Sequence, residues 1–396
     1  MKRIAVIPPN DHPVPDILGG AIEGLTTYLI EENERKPKCE FEIFNQSKCI
    51  DELKKIHYNH CKIWTTESGI IARYIDKVYL AARKVLNYKI PYQSMYLKKT
   101  IKRINDGSFD LVLIEGNPNY AWRIAKETGL SVILHIHTDH VLDETTHSYQ
   151  KIIDSTKKII CVSQYIEDQL SRIQGMDKNK LSVCLNCTDQ IIFNPESRRK
   201  YRYSMRDKLG YEEQDIVFAF IGRVVEMKGV RELVDAFDKC NIKNKKLLIV
   251  GGSGFSGSSE TDFTKYLREK AAKSEGAIQL TGYVDKSELP KYYAVADVFA
   301  SPSKYDEAAP LSNIEAMSMG LPCIISNKGG TLEYANDRCI TVEVDTNAVE
   351  NIKLAMEKAT YLLSLHKEDS LKDNIDSQWS TSRFYDDLMR LILDRT

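Results

Sequence analysis

Short runs of β-branched and other apolar residues alternate with longer helical patterns along almost the whole chain, and this alternation constrains the fold more than any other feature. It is typical of parallel α/β architecture, in which helices connect neighbouring parallel strands. The first series of predicted strands comprises RIAVIPP, EFEIFN, DLVLIEG, SVILHIH, KIICVS and LSVCLN. The second comprises DIVFAFIG, KLLIVGG, AIQLTG, DVFASPS and PCIISN. We therefore expect an α/β protein with two doubly wound sheets.

A polar, arginine-rich stretch after about Asn194 separates the two series, and 396 residues suit two ordinary domains. We expect a first Rossmann-like domain over residues 1–190 and a second over residues 191–377. The last segment, QWSTSRFYDDLMRLILD, has the spacing of an amphipathic helix. We expect this helix to span about 378–396 and to pack back on the first domain.

Composition argues against several classes of protein. The chain is 42% hydrophobic with a net charge of −1, which supports real cores and argues against a nucleic-acid partner. Its longest apolar runs are too short to span a bilayer, and MKRIAVIPPN lacks the features of a signal peptide. Nine cysteines are scattered, and we interpret them as thiols rather than a disulfide framework. A redox role for Cys184-x-x-Cys187 is the less favoured alternative.

Two cations lie at the end of a predicted strand, where open α/β sheets hold their chemistry. Arg223 comes just past FAFIG, and Lys228 comes just before the next predicted helix. Such a pair suits a diphosphate, because arginine is a planar fork and lysine a point charge. Two solvated loop charges are the alternative. Strands of the first series also end in polar residues, so we expect two sheet edges that face each other across a cleft.

The stretch DEAAPLSNIEAMSMGLP places Glu307 before a predicted helix and Glu315 inside it. Pro310 suits the first turn and Gly320 the end, so we expect a helix over about 311–319. Small residues and free N–H groups at a helix start favour a closely bound anion, and a carboxylate there can accept hydrogen bonds from sugar hydroxyls. In the alternative, Glu307 complements the helix dipole and Glu315 faces solvent.

The segment HIHTDH ends another predicted strand and contains His135, His137 and His140. Alternation along a strand places His135 and His137 on the same face. A metal site is one interpretation, because histidine is a common ligand. The spacing lacks H-E-x-x-H, so we favour a polar contact from His137 to a ligand, a core position for His135 and no metal.

Glycine-rich loops precede two predicted helices. Gly19 and Gly20 permit close approach of a phosphate to the backbone. The run VGGSGFSGSS, which contains Gly252, is similar but lacks the G-K-[ST] ending of a P-loop. The start of the chain lacks G-x-G-x-x-G, which argues against a dehydrogenase.

Taken in order, GRVVEMKG, LLIVGGSG, LTGYVDKSELPKYYAVADVFASPS and EAAPLSNIEAMSMGLPCIISNKGG resemble the C-terminal half of glycosyltransferase family 4. GGAIEG, ILHIHTDH, CVSQYIEDQL and LNCTDQIIFNP are similar to its N-terminal half, so the resemblance spans nearly the whole chain. Each motif alone is weak, but their order is specific. The resemblance implies the GT-B fold, with two Rossmann-like domains across a cleft. Residues 1–190 would bind the acceptor and residues 191–377 the nucleotide-sugar donor.

The resemblance also implies a role for each matching residue. Glu307 would hold the hydroxyls of the donor sugar, and Glu315 the ribose. Arg223 and Lys228 would neutralise the diphosphate, and His137 would lie near the reacting sugar carbon. We expect catalytic roles for His137, Arg223, Lys228 and Glu307. The other expected donor-binding residues are Gly19, Gly20, Gly252, Gly282, Tyr283, Val284, Ala308, Ala309, Pro310 and Leu311.

This sequence departs from the family pattern at Ala309 and Pro310, where family members often carry an aromatic residue and a glycine. Proline has no N–H to donate. We therefore expect one backbone contact to the donor to be missing, which bears on the sugar preference more than on the reaction type.

The resemblance implies a retaining transfer of a hexose or N-acetylhexosamine from a nucleotide sugar, most commonly a UDP-sugar in this family. The acceptor would be a hydroxyl of a sugar or a lipid-linked sugar, in the synthesis of a surface polysaccharide or glycolipid. Because Arg223 and Lys228 can do the work of a divalent cation, we expect no cofactor and no metal. Two alternatives stay open: a nucleotide-sugar 2-epimerase of the same overall fold, and a non-catalytic nucleotide-sugar-binding protein.

Residues 71–103 contain nine Lys or Arg and one Asp, a local charge of +8, with tyrosines interleaved. A basic, aromatic helical surface suits an anionic membrane leaflet. A solvated helical face is the alternative. We expect a cytoplasmic protein, peripheral on the inner face of the plasma membrane if the first interpretation holds.

Overall fold

The computed structural model describes residues 1–9, 12–46, 48–66, 94–138, 149–254, 260–365 and 377–394. It also describes seven of the positions between 67 and 93. Among these residues, no helix is both long and apolar enough to cross a membrane.

The chain divides into two compact units. The first comprises Met1–Asn186 together with Thr381–Thr396, and the second comprises Cys187–Ser380. The division falls a few residues before the expected position. It separates Cys184 from Cys187, and all nine cysteines are free. The C-x-x-C spacing therefore spans the division and holds no disulfide.

The first unit is built on one parallel sheet. Its strands are β1 (Lys2–Ile7), β2 (Cys39–Asn45), β3 (Cys61–Thr65), β4 (Leu111–Glu115), β5 (Ser131–Ile136), β6 (Thr156–Cys161) and β7 (Leu181–Val183). They lie in the order β3-β2-β1-β4-β5-β6-β7, and every adjacent pair is parallel. The winding reverses between β1 and β4. Sequence analysis missed β3, because its run CKIWT mixes a lysine into a short apolar segment.

Helices accompany this sheet between its strands. They are α1 (Ala21–Arg35), α2 (Ile50–Leu53), α3 (Met95–Asp106), α4 (Ala121–Thr128), α5 (Tyr149–Ser155) and α6 (Gln164–Ser171).

Helix α3 belongs to the basic segment 71–103 and corrects part of its interpretation. Tyr96 is buried, and its hydroxyl donates to the carbonyl of Phe44 at 2.5 Å, so this ring belongs to the core and not to an aromatic surface. The exposed cations of the helix are Lys98, Lys99 and Lys102. Most other residues of the segment, including Tyr88 and Tyr92, lie outside the described residues. The described part is therefore basic on the exposed face of α3, and of its tyrosines Tyr96 is buried whereas Tyr74 is 70% exposed.

The second unit is built on another parallel sheet. Its strands are β8 (Ile216–Ile221), β9 (Lys245–Val250), β10 (Ile278–Leu280), β11 (Val298–Ser301), β12 (Cys323–Ser326) and β13 (Cys339–Val342). They lie in the order β10-β9-β8-β11-β12-β13, again all parallel. The winding reverses between β8 and β11. Sequence analysis missed β13, a short edge strand.

Helices cover both faces of this sheet. They are α7 (Pro195–Leu209), α8 (Val230–Lys239), α9 (Asp262–Lys273), α10 (Leu289–Val295), α11 (Leu311–Ser318) and α12 (Ala348–Leu365). Along β8, Phe218 and Phe220 pack into one buried cluster with residues of α8, α9 and α12. Val217, Ala219 and Ile221 pack into the other with residues of α10 and α11. This two-sided burial explains why the strands are almost continuously apolar.

The C-terminal helix α13 (Thr381–Leu393) returns to the first unit and packs against α1. The buried Tyr385 places its hydroxyl 2.8 Å from Asn33 Oδ1 and 2.7 Å from the carbonyl of Lys36. At the surface, Lys38 pairs with Asp386 at 2.6 Å. The apolar stripe that predicts an amphipathic helix is the face that docks here.

Candidate active site

Three of the four expected catalytic residues lie where the winding of the second sheet reverses. Arg223 follows β8, and Lys228 ends a short 3-10 turn directly before α8. Glu307 lies on the loop between β11 and α11. Ligands of open α/β sheets bind beyond the carboxyl ends of such strands. The fold thus brings residues that are far apart in sequence to one sheet edge.

Both oxygens of the Glu307 carboxylate are engaged. Lys228 Nζ lies 2.5 Å from Oε1, and the hydroxyl of Tyr305 donates to Oε2 at 2.6 Å. The Lys228 ammonium also lies 5.1 Å from the centroid of the Tyr305 ring, within the range of a cation–π contact. Glu307 is only 6% exposed, so these partners take the place of water around its carboxylate.

Arg223 belongs to the same group through Tyr305. Burial and the neighbouring Glu307 raise the pKa of Tyr305, and the charge and hydrogen bond of Arg223 oppose that effect. Tyr305 therefore keeps its proton at neutral pH and acts as the donor to Glu307. Arg223 itself is exposed, which leaves its guanidinium accessible to an anion.

The backbone around Glu307 is clamped by a glycine turn. Gly330 N donates to the Glu307 carbonyl at 2.7 Å, and Gly329 N donates to Asp306 Oδ1 at 2.9 Å. Gly329 has φ +55°, and a Cβ there would overlap the Glu307 backbone. Only glycine allows the two chain segments to approach this closely.

Glu315 lies within α11 and is only 8% exposed, so it does not face solvent. The hydroxyl of Tyr293, on α10, donates to its Oε2 at 2.7 Å. Burial raises the pKa of Glu315, while the Tyr293 hydrogen bond and the charge of Lys286 oppose the rise. Glu307 and Glu315 are thus each held by a tyrosine, although different elements supply the two rings.

Helix α11 begins at Leu311, as expected, and ends one residue earlier than expected, at Ser318. Pro310 precedes it and makes no side-chain capping hydrogen bond. The small Ala308 and Ala309 are half-buried beside this start. Because the first N–H groups of a helix have no intrahelical partner, this end suits an anion.

Glycine loops connect the neighbouring strand ends. Gly251 N donates to the Gly282 carbonyl at 3.0 Å, and Gly252 accepts a hydrogen bond from the backbone just after β8 at 2.9 Å. Gly282 has φ +73°, in the left-handed region that favours glycine. Of the next two residues, Tyr283 is 41% exposed and Val284 packs against the core. Tyr283 is therefore available at the surface of this edge.

His137 belongs to the first unit, one position after β5. Its Nε2 lies 2.8 Å from Oε2 of Glu115, the last residue of β4. His135 Nδ1 lies 2.9 Å from the same oxygen, but neither of its ring nitrogens makes a hydrogen bond of good geometry within the described chain. The two rings, whose centroids are 4.2 Å apart, share one face as expected. His140 lies outside the described residues.

Burial and charge set the protonation of this group. Burial alone would raise the pKa of Glu115, but His135 and His137 lower it to about 2. Burial, followed by the neighbouring His135, lowers the pKa of His137 to about 4, while Glu115 opposes that shift. At neutral pH, Glu115 is therefore an anion that accepts a hydrogen bond from the Nε2–H group of a neutral His137.

Glu115, His135 and His137 also offer three metal-ligand atoms within 4.8 Å of one another. Zinc ligands at about 2.0–2.1 Å from the ion would lie roughly 3.3 Å apart. The Glu115 oxygen lies closer than that to both rings, at 2.8 and 2.9 Å. These are hydrogen-bond distances, so the arrangement is that of a carboxylate network.

Gly19 and Gly20 precede α1 with φ of +79° and +148°. A Cβ on Gly20 would overlap the carboxylate of Glu23, in the first turn of α1. The Glu23 carboxylate thus lies beside Gly20, and the contact of Gly19 and Gly20 with a phosphate stays a prediction.

Sequence reasoning missed three residues of these groups: Glu115, Tyr293 and Tyr305. Glu115 carried a usable signal, since it is the one charged residue that ends the apolar run LVLIE. Tyr305 stands two positions before Glu307, but nothing in the sequence indicates that its hydroxyl turns back to that carboxylate. Tyr293 is one of two adjacent tyrosines in a helix, and only packing distinguishes them.

The structure contains two doubly wound parallel sheets, and cations and carboxylates lie where the winding of the second sheet reverses. This is the architecture of the GT-B fold. Residues 202–371 match the family described as glycosyl transferases group 1. Spore coat protein SA of Bacillus subtilis (strain 168) is 25% identical over 345 residues, which cover 85% of this chain and 83% of that protein. The D-inositol 3-phosphate glycosyltransferase of Mycobacterium sp. (strain KMS) is 27% identical over 200 residues, or 50% of this chain and 44% of that protein.

Among solved structures, Anabaena HepE in complex with UDP matches with a TM-score of 0.72 at 14% identity, over 99% of this chain and 100% of that one. At that identity the likeness shows the fold alone. Over residues 202–371 the chain is therefore similar to the group 1 glycosyltransferases, and the named relatives and the fold agree with that similarity.

Proposed function

We propose that this protein is a glycosyltransferase, which binds a UDP-sugar through its second unit and transfers a hexose or N-acetylhexosamine to a hydroxyl, with retention of configuration. The observation that carries the proposal is the position of Glu307, held by Lys228 and Tyr305 at the winding reversal of the second sheet. Anabaena HepE, which has the same fold, binds UDP, and this supports the choice of nucleotide.

Each part of the donor has a matching group in this unit. Arg223, Lys228 and the uncapped start of α11 supply positive charge for the diphosphate. Glu307 accepts hydrogen bonds from the sugar hydroxyls, and Glu315 accepts those of the ribose. The other contacts to the donor come from the small residues before α11 and from the loops of Gly252 and Gly282, where Tyr283 and Val284 border the base.

The reaction breaks the bond between the anomeric carbon and the diphosphate oxygen. The electron pair leaves with the diphosphate, where Arg223 and Lys228 stabilise the developing charge. The acceptor hydroxyl attacks the face from which the diphosphate departs, and its proton passes to a phosphate oxygen. Retention commonly uses a carboxylate nucleophile. Our mechanism does not, and a sugar adduct trapped on a carboxylate would contradict it.

The first unit takes the role of acceptor domain in this proposal. In this role His137 would act near the reacting sugar carbon as a hydrogen-bond acceptor. A neutral histidine with Nε2–H directed to Glu115 presents Nδ1 as an acceptor. The ring can therefore orient a hydroxyl without adding a positive charge.

We further propose that the reaction needs no metal ion, because Arg223 and Lys228 would supply the positive charge that stabilises the leaving group. Turnover should survive treatment with EDTA. Loss of activity in EDTA that magnesium restores would contradict this part of the proposal.

The acceptor is a sugar or lipid-linked sugar of a surface polysaccharide or glycolipid, met at the cytoplasmic face of the membrane. The support is the excess of positive charge in residues 71–103 and the exposed lysines of α3. The attraction rests mainly on charge, since Tyr96 belongs to the core, although Tyr74 is 70% exposed.

The donor is tested by thermal shift with UDP, GDP, ADP and their common sugar conjugates, because ligands that bind only the folded state raise its melting temperature. We expect a shift with UDP, a larger one with one UDP-sugar, and smaller shifts in Glu307→Ala and Arg223→Ala. Glu269→Ala and Arg268→Ala, on the exposed face of α9, are matched controls. No shift with any nucleotide would reject the proposal.

Product analysis separates transfer from the alternatives. A donor epimerised without any acceptor would indicate an epimerase, and binding without turnover on any acceptor would indicate a binding protein.

A further inference from the structure

We infer that Tyr305 and Tyr293 are positioning residues that divide donor recognition between them, Tyr305 for the sugar and Tyr293 for the nucleoside. The inference rests on the proposed function, because it assigns Glu307 to the sugar and Glu315 to the ribose. Each tyrosine hydroxyl donates to Oε2 of one glutamate, at 2.6 and 2.7 Å.

The two oxygens of Glu307 have different kinds of partner. Oε1 pairs with Lys228, a flexible cation that a bound diphosphate also attracts. Oε2 is held by Tyr305, a ring with two rotatable side-chain bonds that is half-buried beside the same lysine. When a donor binds, Lys228 can turn to the diphosphate and release Oε1 to a sugar hydroxyl. The Tyr305 hydrogen bond then remains to fix the carboxylate in its orientation.

Tyr293 holds Glu315 from a fully buried position. Its ring contacts Phe193 edge-on at 5.7 Å and Phe299 at 5.8 Å between centroids. The hydroxyl is also 3.2 Å from the carbonyl of Ser312, one turn before Glu315 on the same helix. A rigid ring thus fixes Oε2, and Oε1 is the oxygen left to accept hydrogen bonds from a ribose.

In the described part of the chain, the hydrogen bonds and ring contacts given for the two pairs have no residue in common. Tyr305 lies on the loop after β11 and contacts Lys228 and Glu307, whereas Tyr293 lies on α10 and contacts Glu315 and its surroundings. Effects at sites without common partners are close to additive. Removing one hydroxyl should therefore weaken recognition of one half of the donor and spare the other half.

The test compares Tyr305→Phe with Tyr293→Phe, which remove only the two hydroxyls. Dissociation constants are measured by calorimetry for UDP and for UDP-glucose, UDP-galactose and UDP-N-acetylglucosamine. We expect Tyr305→Phe to bind UDP within about twofold of wild type, but to lose about five- to tenfold in affinity for the preferred UDP-sugar. We expect Tyr293→Phe to lose about five- to tenfold for UDP and for the UDP-sugar alike, so that their ratio is unchanged.

Tyr211→Phe is the matched control, since it removes a buried hydroxyl of the same unit that has no hydrogen-bond partner among the described residues. It should leave every affinity unchanged. If Tyr293→Phe does not fold, Glu315→Gln takes its place, with the same expected loss for UDP and UDP-sugar.

The failures of the inference and of the proposed function are distinguishable. If wild-type protein binds no nucleotide or nucleotide sugar, the proposed function is wrong. If wild type binds but Tyr305→Phe weakens UDP and UDP-sugar equally, or weakens neither, the division of roles is wrong. The same holds if Tyr293→Phe changes the ratio of the two affinities.

Discussion

Glu115 Oε2 lies 2.8 Å from His137 Nε2, so a buried carboxylate decides which ring nitrogen of this histidine carries the proton. Glu115 ends β4, and His137 directly follows the adjacent parallel strand β5. The contact makes His137 an oriented acceptor with a defined tautomer.

We expect Glu115→Gln to lower turnover by about tenfold or more while UDP affinity stays near that of wild type, because an amide can donate to Nε2 as well as accept from it and so no longer fixes the tautomer of His137, while the second unit is untouched. Steady-state kinetics together with UDP calorimetry would measure the two effects. Glu127→Gln, on an exposed side chain of α4, is the control. Unchanged turnover in Glu115→Gln would mean that the tautomer of His137 does not matter to the reaction.

The lowered pKa of His137 predicts a pH dependence of stability. The folded form resists protonation down to about 4, whereas the unfolded side chain takes up its proton near 6.5. Between these values the unfolded state binds more protons, so the free energy of unfolding should fall as the pH falls, by about 3 kcal/mol at most.

Urea unfolding at pH 7.0, 5.5 and 4.5 would measure this slope. His137→Gln should flatten it in this window, and His57→Gln, at an exposed position, should not. Equal slopes in wild type and His137→Gln would show that burial does not hold this ring neutral.

The glycine turn that clamps Glu307 predicts a steric effect at Gly329. Its φ is +55°, and an added Cβ would overlap the Glu307 backbone. Gly276 has φ +82° with nothing within 4 Å of the same position, so Gly276→Ala carries only the backbone strain. That strain costs about 1–2 kcal/mol.

We expect Gly329→Ala to lower stability by at least about 1 kcal/mol more than Gly276→Ala, and to reduce turnover, because the turn moves Glu307. Thermal melting and kinetics of both variants would decide this. Matching losses in the two variants would mean that the turn can yield without displacing Glu307.

The exposed cations of α3 predict binding to anionic membranes. Replacing Lys98 and Lys102 together by glutamate should reduce sedimentation with vesicles that contain phosphatidylserine, by roughly 1 kcal/mol for each charge removed. Replacing the exposed Lys54 and Lys55 in the same way controls for net charge. Equal pelleting of wild type with neutral and anionic vesicles would reject an electrostatic membrane contact.

The fold class follows from local patterns. Apolar runs that alternate with helical spacing indicate parallel sheets, because crossover helices bury both faces of every strand. The same logic fails for short segments at sheet edges, so β3 and β13 were missed. It also fails for Tyr96, because a basic segment does not reveal which face of its helix meets the core.

By itself the sequence determined the architecture, the placement of Arg223 and Lys228 after a strand, and the family pattern that Glu307 and Glu315 match. These are properties of neighbouring residues, and spacing along the chain expresses them. Only the tertiary structure decided that Lys228 pairs with Glu307, which lies 79 positions further along the chain. The same is true of the hydrogen bonds from Tyr293 to Glu315 and between Glu115 and His137. Such contacts depend on strand order and helix packing, which join distant residues at one sheet edge and leave no periodic trace in the chain.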